Sequence, residues 1–285
     1  MEKITLIIDC NYICFRSMLR MKELSYEQQP TGVVFGFLRQ LQALANRFGN
    51  PRFIFTWDSE RSYRREVYPE YKRRTKQFDP EMDELLAISK PQFRELRCNI
   101  LPRLGFKNGF LQTGIEADDI IAIIIKDHWK YLEGEIGIIS ADNDLFQLLQ
   151  PDVFMYDPRS KDTYTEESFT REKGIQPNLW YKVKAIGGCN SDNVGGVRGV
   201  AEITAIKYLN DLLYGNKKQE IDHFMSTDKY ELNVSLVQLP HLKTQHITLK
   251  EDEFNIQEFE NICLNKGFNS LLSKEAYKKW RKILA

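Results

Sequence analysis

Apolar positions in this chain fall into short solid runs separated by longer stretches of helical spacing. Residues 4–8 (ITLII), 52–57 (RFIFTW) and 136–140 (IGIIS) are strand-sized and almost wholly apolar, the pattern of strands buried on both faces. Residues 153–156 (VFMY) predict a fourth strand and 106–111 a short further one. Between them, Val33, Val34, Phe37, Leu38, Leu41, Leu44 and Ala45 recur at helical spacing over 32–48, and Gly49-Asn50-Pro51 stops the pattern. Residues 81–104 read as helical with a break or new start at Pro91. A helix opens at Glu116 and runs to about 131, and another passes through Leu145, Leu148 and Leu149. Residues 158–178 are polar and mixed. From 179 onward the chain reads mostly as helix, broken by a glycine-rich turn at 187–199. Alternating strand and helix predicts an α/β fold with a mainly parallel central sheet flanked by helices. The expected division is a core over 1–180 and a helical subdomain over 181–285.

Three of the solid runs end in acid. Asp9 follows the first, Asp58 the second, and Asp142 and Asp144 the third. Glu116, Asp118 and Asp119 open a helix. Any one of these has a plain explanation, as a turn former or as an acid complementing a helix dipole. Their recurrence carries more, because parallel strands open their carboxyl ends on one sheet edge, where ligands bind. Gathered carboxylates repel unless cations sit between them, and hard divalent ions such as Mg²⁺ take oxygen ligands. Two such ions can clamp the attacking and leaving oxygens of a phosphodiester displacement.

Two further segments bear on charge. Residues 60–76 (ERSYRREVYPEYKRRTK) interleave Arg61, Arg64, Arg65, Lys72, Arg73, Arg74 and Lys76 with Tyr63, Tyr68 and Tyr71. Arginine and lysine contact phosphates, and tyrosines stack on unpaired bases. Glu60, Glu66 and Glu70 would also make this an ordinary salt-bridged surface. Its start, two residues after Asp58, favours cations beside the carboxylates. Gly187, Gly188, Gly195, Gly196 and Gly199 mark tight turns before a helical pattern through Thr204, Ala205, Ile206 and Leu209. That arrangement offers backbone N–H groups to a phosphate, or serves as a plain helix–turn–helix connector.

The 285 residues are 42% apolar and 28% charged, with a formal net charge of zero. The total charge therefore does not argue for or against nucleic acid. Five widely spaced cysteines without a CxxC pair point to free thiols in a reducing compartment. The apolar runs are too short for a membrane span, and the first residues do not form a signal peptide. A cytoplasmic protein without a membrane partner is expected.

Taken together, the segments resemble the structure-specific 5′ nuclease family: phage 5′–3′ exonucleases, flap endonucleases and the N-terminal nuclease domain of bacterial DNA polymerase I. The resemblance rests on Asp9, Trp57-Asp58, Tyr63-Arg64, Pro69-Glu70-Tyr71-Lys72-Arg73, Gly114-Ile115-Glu116-Ala117-Asp118-Asp119, Ser140-Ala141-Asp142-Asn143-Asp144 and Ser191-Asp192-Asn193, in that order. It implies a PIN-like fold and two clusters for Mg²⁺ or Mn²⁺. Asp9, Asp58, Glu116 and Asp118 would form one, with Asp119 nearby. Asp142, Asp144 and Asp192 would form the other. Arg64 and Lys72 would engage the scissile phosphate, and Tyr71 would stand at the base of a helical arch over about 72–100. Arg61, Arg65, Arg73 and Arg74 would contact DNA. A helix–turn–helix hairpin at about 186–210, with Gly196, Gly199 and Thr204, would grip duplex, often with K⁺. The implied enzyme is a monomer that cuts flapped or nicked DNA, and RNA primers annealed to DNA, beside replication proteins.

The chain also departs from the family pattern. Cys189 stands where the first acid of Gly-Asp-x-x-Asp-Asn is expected, and thiol is a poor Mg²⁺ ligand, so the second site is expected to be weakened. Ala201 and Ile203 replace a glycine and a lysine of the hairpin. Two alternatives follow: a binder of branched DNA that has lost turnover, and a haloacid-dehalogenase-like phosphatase built on Asp9-Cys10-Asn11. The phosphatase chemistry needs a carboxylate where Asn11 stands.

Overall fold

The computed structural model describes residues 4–73, 79–132 and 134–285. Arg74 and Lys76, and with them part of the expected arch, lie outside the described residues. The first half of the chain runs β1 (Thr5–Asp9), α1 (Cys10–Arg20), β2 (Ser25–Tyr26), β3 (Gln29–Pro30), α2 (Gly32–Phe48), β4 (Arg52–Thr56), α3 (Tyr63–Val67), α4 (Pro80–Glu95), α5 (Leu101–Arg103), β5 (Gly109–Phe110), α6 (Ala117–His128) and β6 (Ile136–Ile139). It continues through β7 (Val153–Tyr156), β8 (Thr163–Tyr164), α7 (Glu166–Lys173), α8 (Trp180–Gly187), β9 (Gly188–Cys189), β10 (Val194–Gly195), α9 (Glu202–Leu209), α10 (Asn216–Met225), α11 (Asp228–Val237), α12 (Ile256–Asn265) and α13 (Lys274–Ile283).

The solid apolar runs become the middle of a six-stranded sheet of order β5-β4-β1-β6-β7-β8. All neighbours are parallel except β8, which returns antiparallel on β7. Successive side chains alternate between two cores. Leu6 and Ile8 join Phe53 and Phe55 on one face, while Ile7 joins Ile54 and Ile138 on the other. Gly137 is required by this packing, since a Cβ there would come within 2.6 Å of both Leu6 and Phe154.

Several elements differ from the sequence reading. Helix α1 starts directly after β1, because the Asp9 carboxylate accepts from the Tyr12 amide and caps it. Pro91 lies inside α4 rather than breaking it. The helix is held there by Gln92, whose Oε1 accepts from the Val33 and Val34 amides and so caps α2. The irregularity comes later, as a single π turn over Leu96–Ile100. After Asp142 the chain makes a 3₁₀ turn, Asn143–Leu148, rather than an α-helix. The glycine-rich segment contains the small antiparallel hairpin β9–β10.

Residues 181–285 divide between the two faces. Helices α8 to α11 pack on the Ile7 side, whereas Phe259 of α12 and Trp280 of α13 bury themselves in the Leu6 side, stacked 4.5 Å apart. Residues 239–255 between them are irregular rather than helical and run along the β5 edge, where Asn108 exchanges two hydrogen bonds with the Lys250 backbone. No helix among the described residues is long and apolar enough to cross a membrane.

Candidate metal and nucleic-acid site

The carboxyl ends of β1, β4 and β6 open on one edge, as parallel pairing requires. A cleft of about 330 Å³ lies there, lined by Asp9, Asp58, Asp118, Asp142, Lys72, Asn11, Tyr12, Phe15, Ser140 and Ala141. A larger cavity, about 730 Å³, opens at the other end of the strands beside Pro51 and Phe254, away from these acids.

Hydrogen bonds orient three of the four carboxylates. Asp9 accepts from the Tyr12 amide at 3.0 Å and from Ser140 Oγ at 2.8 Å. Asp58 accepts from the Ala117 amide at 2.8 Å, while Asn11 Oδ1 accepts from the Asp58 amide at 3.3 Å. Asp118 sits in the first turn of α6. Asp142 accepts from the Asp144 amide at 2.9 Å. Burial, then the Asp58 charge, pushes Asp9 up to about 7. Burial also raises Asp58 and Asp118, with Glu116 and Asp142 the foremost charges adding to it. Asp142 stands at the solvent rim, yet crowding by protein and then Asp144 raise it too. Four acids held above their ordinary range mark negative charge without enough compensation.

The nearest compensation is Lys72, which lines the cleft with its Nζ 2.7 Å from Glu116 Oε2. Tyr71 lies beneath it, 2% exposed, and donates its hydroxyl to the same oxygen at 3.2 Å. Burial opposes ionisation of Glu116, but Lys72 and then Arg64 hold it below its ordinary value. Glu116 is thus tied to protein cations. Buried Tyr71 offers no open face to a base.

Arg64 and Asp119 stand apart from the cleft. Arg64 is 4% exposed and Asp119 fully buried, joined through two hydrogen bonds of 2.5 and 2.8 Å. Asp119 also accepts from the His241 amide. Sequence reading expects Arg64 at the scissile phosphate and Asp119 beside the metal; both are instead enclosed in this pair. The remaining cations are exposed. Arg61 lies 3.9 Å from Glu66, Arg73 lies 2.6 Å from Glu70, and Arg65 donates to the Tyr71 and Lys72 carbonyls. Arg65, Lys72, Arg73 and Lys90 line a second cleft of about 610 Å³ between residues 65–73 and α4, which shares Phe15 and Lys72 with the first.

The second acidic group, expected to hold Asp142, Asp144 and Asp192, gathers at the hairpin without Asp142, which lines the first cleft instead. Ligand atoms of Asp144, Cys189 and Asp192 lie within 4.8 Å of one another. Cys189 Sγ is 3.0 Å from Ser191 Oγ, and burial pushes Asp192 up to about 6. Lys184 of α8, which no motif signalled, puts its Nζ 2.8 Å from Asp144 Oδ1. The groups are linked through backbone: the Lys72 amide donates to the Asp192 carbonyl at 3.0 Å, and Asn193 donates to the Glu70 and Arg73 carbonyls. Lys72 takes a left-handed φ of 50° at this junction. Gly196 packs backbone on backbone, where a Cβ would meet Ile186 O at 2.3 Å. Gly199 has a φ of 71°, and Thr204 lies in the first turn of α9.

The first group offers oxygen donors alone and surplus negative charge, the chemistry a hard divalent ion takes, whereas among the described residues only the second draws three ligand atoms within 4.8 Å of one another. The second offers two carboxylates, a thiol and a competing ammonium, a poor set for Mg²⁺.

A family model for the 5′-3′ exonuclease N-terminal resolvase-like domain matches residues 4–174. The chain belongs to the 5′–3′ exonuclease family. The 5′–3′ exonuclease of Aquifex aeolicus is 26% identical over 287 residues, covering 97% of this chain and 95% of that one. The thermostable DNA polymerase I of Thermus thermophilus is 30% identical over 209 residues, 72% of this chain, so the match spans only 24% of the polymerase. In fold, the chain is similar to the bacteriophage T5 flap endonuclease in a pseudo-enzyme-product complex with DNA and metal ions, at a TM-score of 0.68 and 19% identity over 99% of this chain and 98% of that one. This fold is the PIN-like sheet of that 5′ nuclease. The family match includes Asp9, Asp58, Glu116, Asp118, Asp142 and Asp144, and ends before Lys184, Cys189 and Asp192.

Proposed function

We propose that this 5′ nuclease hydrolyses phosphodiesters near the 5′ ends of flapped, nicked or primer-bearing duplexes in DNA replication and repair. The observation that carries the proposal is the pair of joined clefts: carboxylates in one, cations in the other, with Lys72 and Phe15 in both walls. Asp9, Asp58, Asp118 and Asp142 would hold Mg²⁺ or Mn²⁺. When bound, the ion supplies positive charge to the phosphate and activates water. Lys72, held beside Glu116, would offer its ammonium to the phosphate oxygens, while Ser140 and the Tyr12 and Ala117 amides keep Asp9 and Asp58 oriented. Arg65, Arg73 and Lys90 would follow the backbone of a single-stranded 5′ end beneath α4. Residues 186–210 would grip duplex behind the cut, with K⁺ at the turn of Gly196 and Gly199. Ile203, 70% exposed where the family pattern has lysine, makes that grip weaker. Cys189 weakens the second metal site. RNA annealed to DNA fits the same backbone contacts, and the monomer carries both clefts.

The test is a cleavage-position map on a 5′-flap substrate and on a blunt duplex, with Mg²⁺ and with Mn²⁺. Cuts near the flap junction are expected. Binding without cleavage in either metal would sink the enzyme reading and favour a branched-DNA binder.

A further inference from the structure

The two acidic groups differ in how their charge is balanced. In the first cleft, Asp9, Asp58, Asp118 and Asp142 share Lys72, and that ammonium is already engaged by Glu116 at 2.7 Å. Among the described residues, no other cation lines that cleft. The second group has Asp144 and Asp192 with a thiol, and it has a cation of its own. Lys184 Nζ lies 2.8 Å from Asp144 Oδ1, with the two side chains 20% and 17% exposed.

This ammonium is held in position by the fold. Lys184 stands one turn beyond Trp180 on α8, and its Nζ lies 5.6 Å from the Trp180 ring centroid. Trp180 Nε1 donates at 2.9 Å to the carbonyl of Asn143, the residue before Asp144. The helix that carries the lysine is therefore fastened to the turn that carries its acid. The remaining donor, Cys189 Sγ, is 4.0 Å from Asp144 Oδ2 and 3.0 Å from Ser191 Oγ. A hard ion entering here would meet an ammonium on Asp144 and a soft sulfur at Cys189, which leaves Asp192 as the remaining carboxylate of the three.

We infer that Lys184 is the resident cation of the second acidic group, so that this chain loads a divalent ion tightly at the first group alone. The inference rests on the reading that the first group takes a divalent ion. It assigns Lys184 a structural counter-charge role, and it makes the second group a polar support for the hairpin.

Mn²⁺ titration of the full chain without DNA tests this, with free Mn²⁺ read by electron paramagnetic resonance and heat by calorimetry. The wild type should bind one ion tightly and a second at least about tenfold more weakly, a gap of about 1.4 kcal/mol. Lys184→Met should narrow that gap and bind the second ion more tightly than the wild type, with Cys189 still in place. Lys184→Arg, which keeps the charge, should behave as the wild type. Circular dichroism melting checks each fold, and Lys184→Gln replaces Lys184→Met should the latter unfold. Two equal ions in the wild type, or an unchanged second affinity in a folded neutral variant, would overturn the inference. Loss of DNA affinity in Lys184→Met with unchanged ion binding would overturn it too, and make Lys184 a phosphate contact. Asp58→Asn separates the readings: if the tight ion survives it, the first-group reading fails instead.

Discussion

The Arg64 guanidinium donates to both oxygens of Asp119 and, through Nε, to the Leu236 carbonyl at 2.8 Å. One buried pair thereby fastens α3 to the first turn of α6, where Glu116 and Asp118 sit, and to the end of α11. Removing one partner leaves an unpaired buried charge. Arg64→Leu should therefore cost about 3–5 kcal/mol, measured by urea unfolding. Replacing both residues with apolar ones should recover part of that loss. A single variant within about 1 kcal/mol of wild type, the range of a surface pair, would mean that the pair is dispensable.

Asp142 and Lys72 both line the cleft. Asp142→Asn should reduce cleavage by at least about 100-fold, with flap affinity nearly unchanged. Lys72→Met should lower kcat by about 10²–10³, the loss of one charge aimed at the transition state. Single-turnover rates beside equilibrium binding separate the two effects. Full activity in Asp142→Asn would reduce that acid to a turn former.

The raised acids set a pH dependence. Asp9 titrates near 3.8 when unfolded and at about 7 in the fold. Between those values the native state binds more protons, so stability contributed here falls as pH rises. In EDTA the melting temperature should decline from about pH 4 to about pH 7 on account of this group. Mn²⁺ should abolish the decline, and Asp9→Asn should flatten it. An identical slope in that variant would remove Asp9 as its source.

Gly196→Ala inserts a carbon against Ile186 O. The hairpin must shift, and duplex affinity should fall about tenfold, or about 1.4 kcal/mol. Mn²⁺ binding at Asp9 and Asp58 should not change. Fluorescence anisotropy with a labelled duplex and the ion titration together check this.

Much of the sheet was legible because solid β-branched runs admit few other structures. The convergence of Asp9, Asp58 and Asp142 followed from parallel strands sharing an edge, whereas Asp118 joins them from the first turn of α6. Roles that depend on burial were not legible. Arg64 and Lys72 lie in one basic run, yet one is enclosed at 4% exposed and the other borders the cleft. Nothing in local spacing separates them, since Asp119 and His241 arrive from elsewhere in the chain. Asn11 read only as a mark against phosphatase chemistry, and it accepts the Asp58 amide. Lys184 had no signal because its partner, Asp144, lies on another element. The return of α12 and α13 to the first core was hidden for the same reason, since helical periodicity does not name the face that a helix will cover.

The hydrogen bond from the Lys72 amide to the Asp192 carbonyl ties the two acidic groups together. With Asn193 holding the Glu70 and Arg73 carbonyls, the loop beneath α4 and the turn of the hairpin behave as one splint. A displacement of either segment is therefore carried to the other through three backbone acceptors. The distance between the two acidic groups is thus set by one short stretch of backbone rather than by the acids themselves.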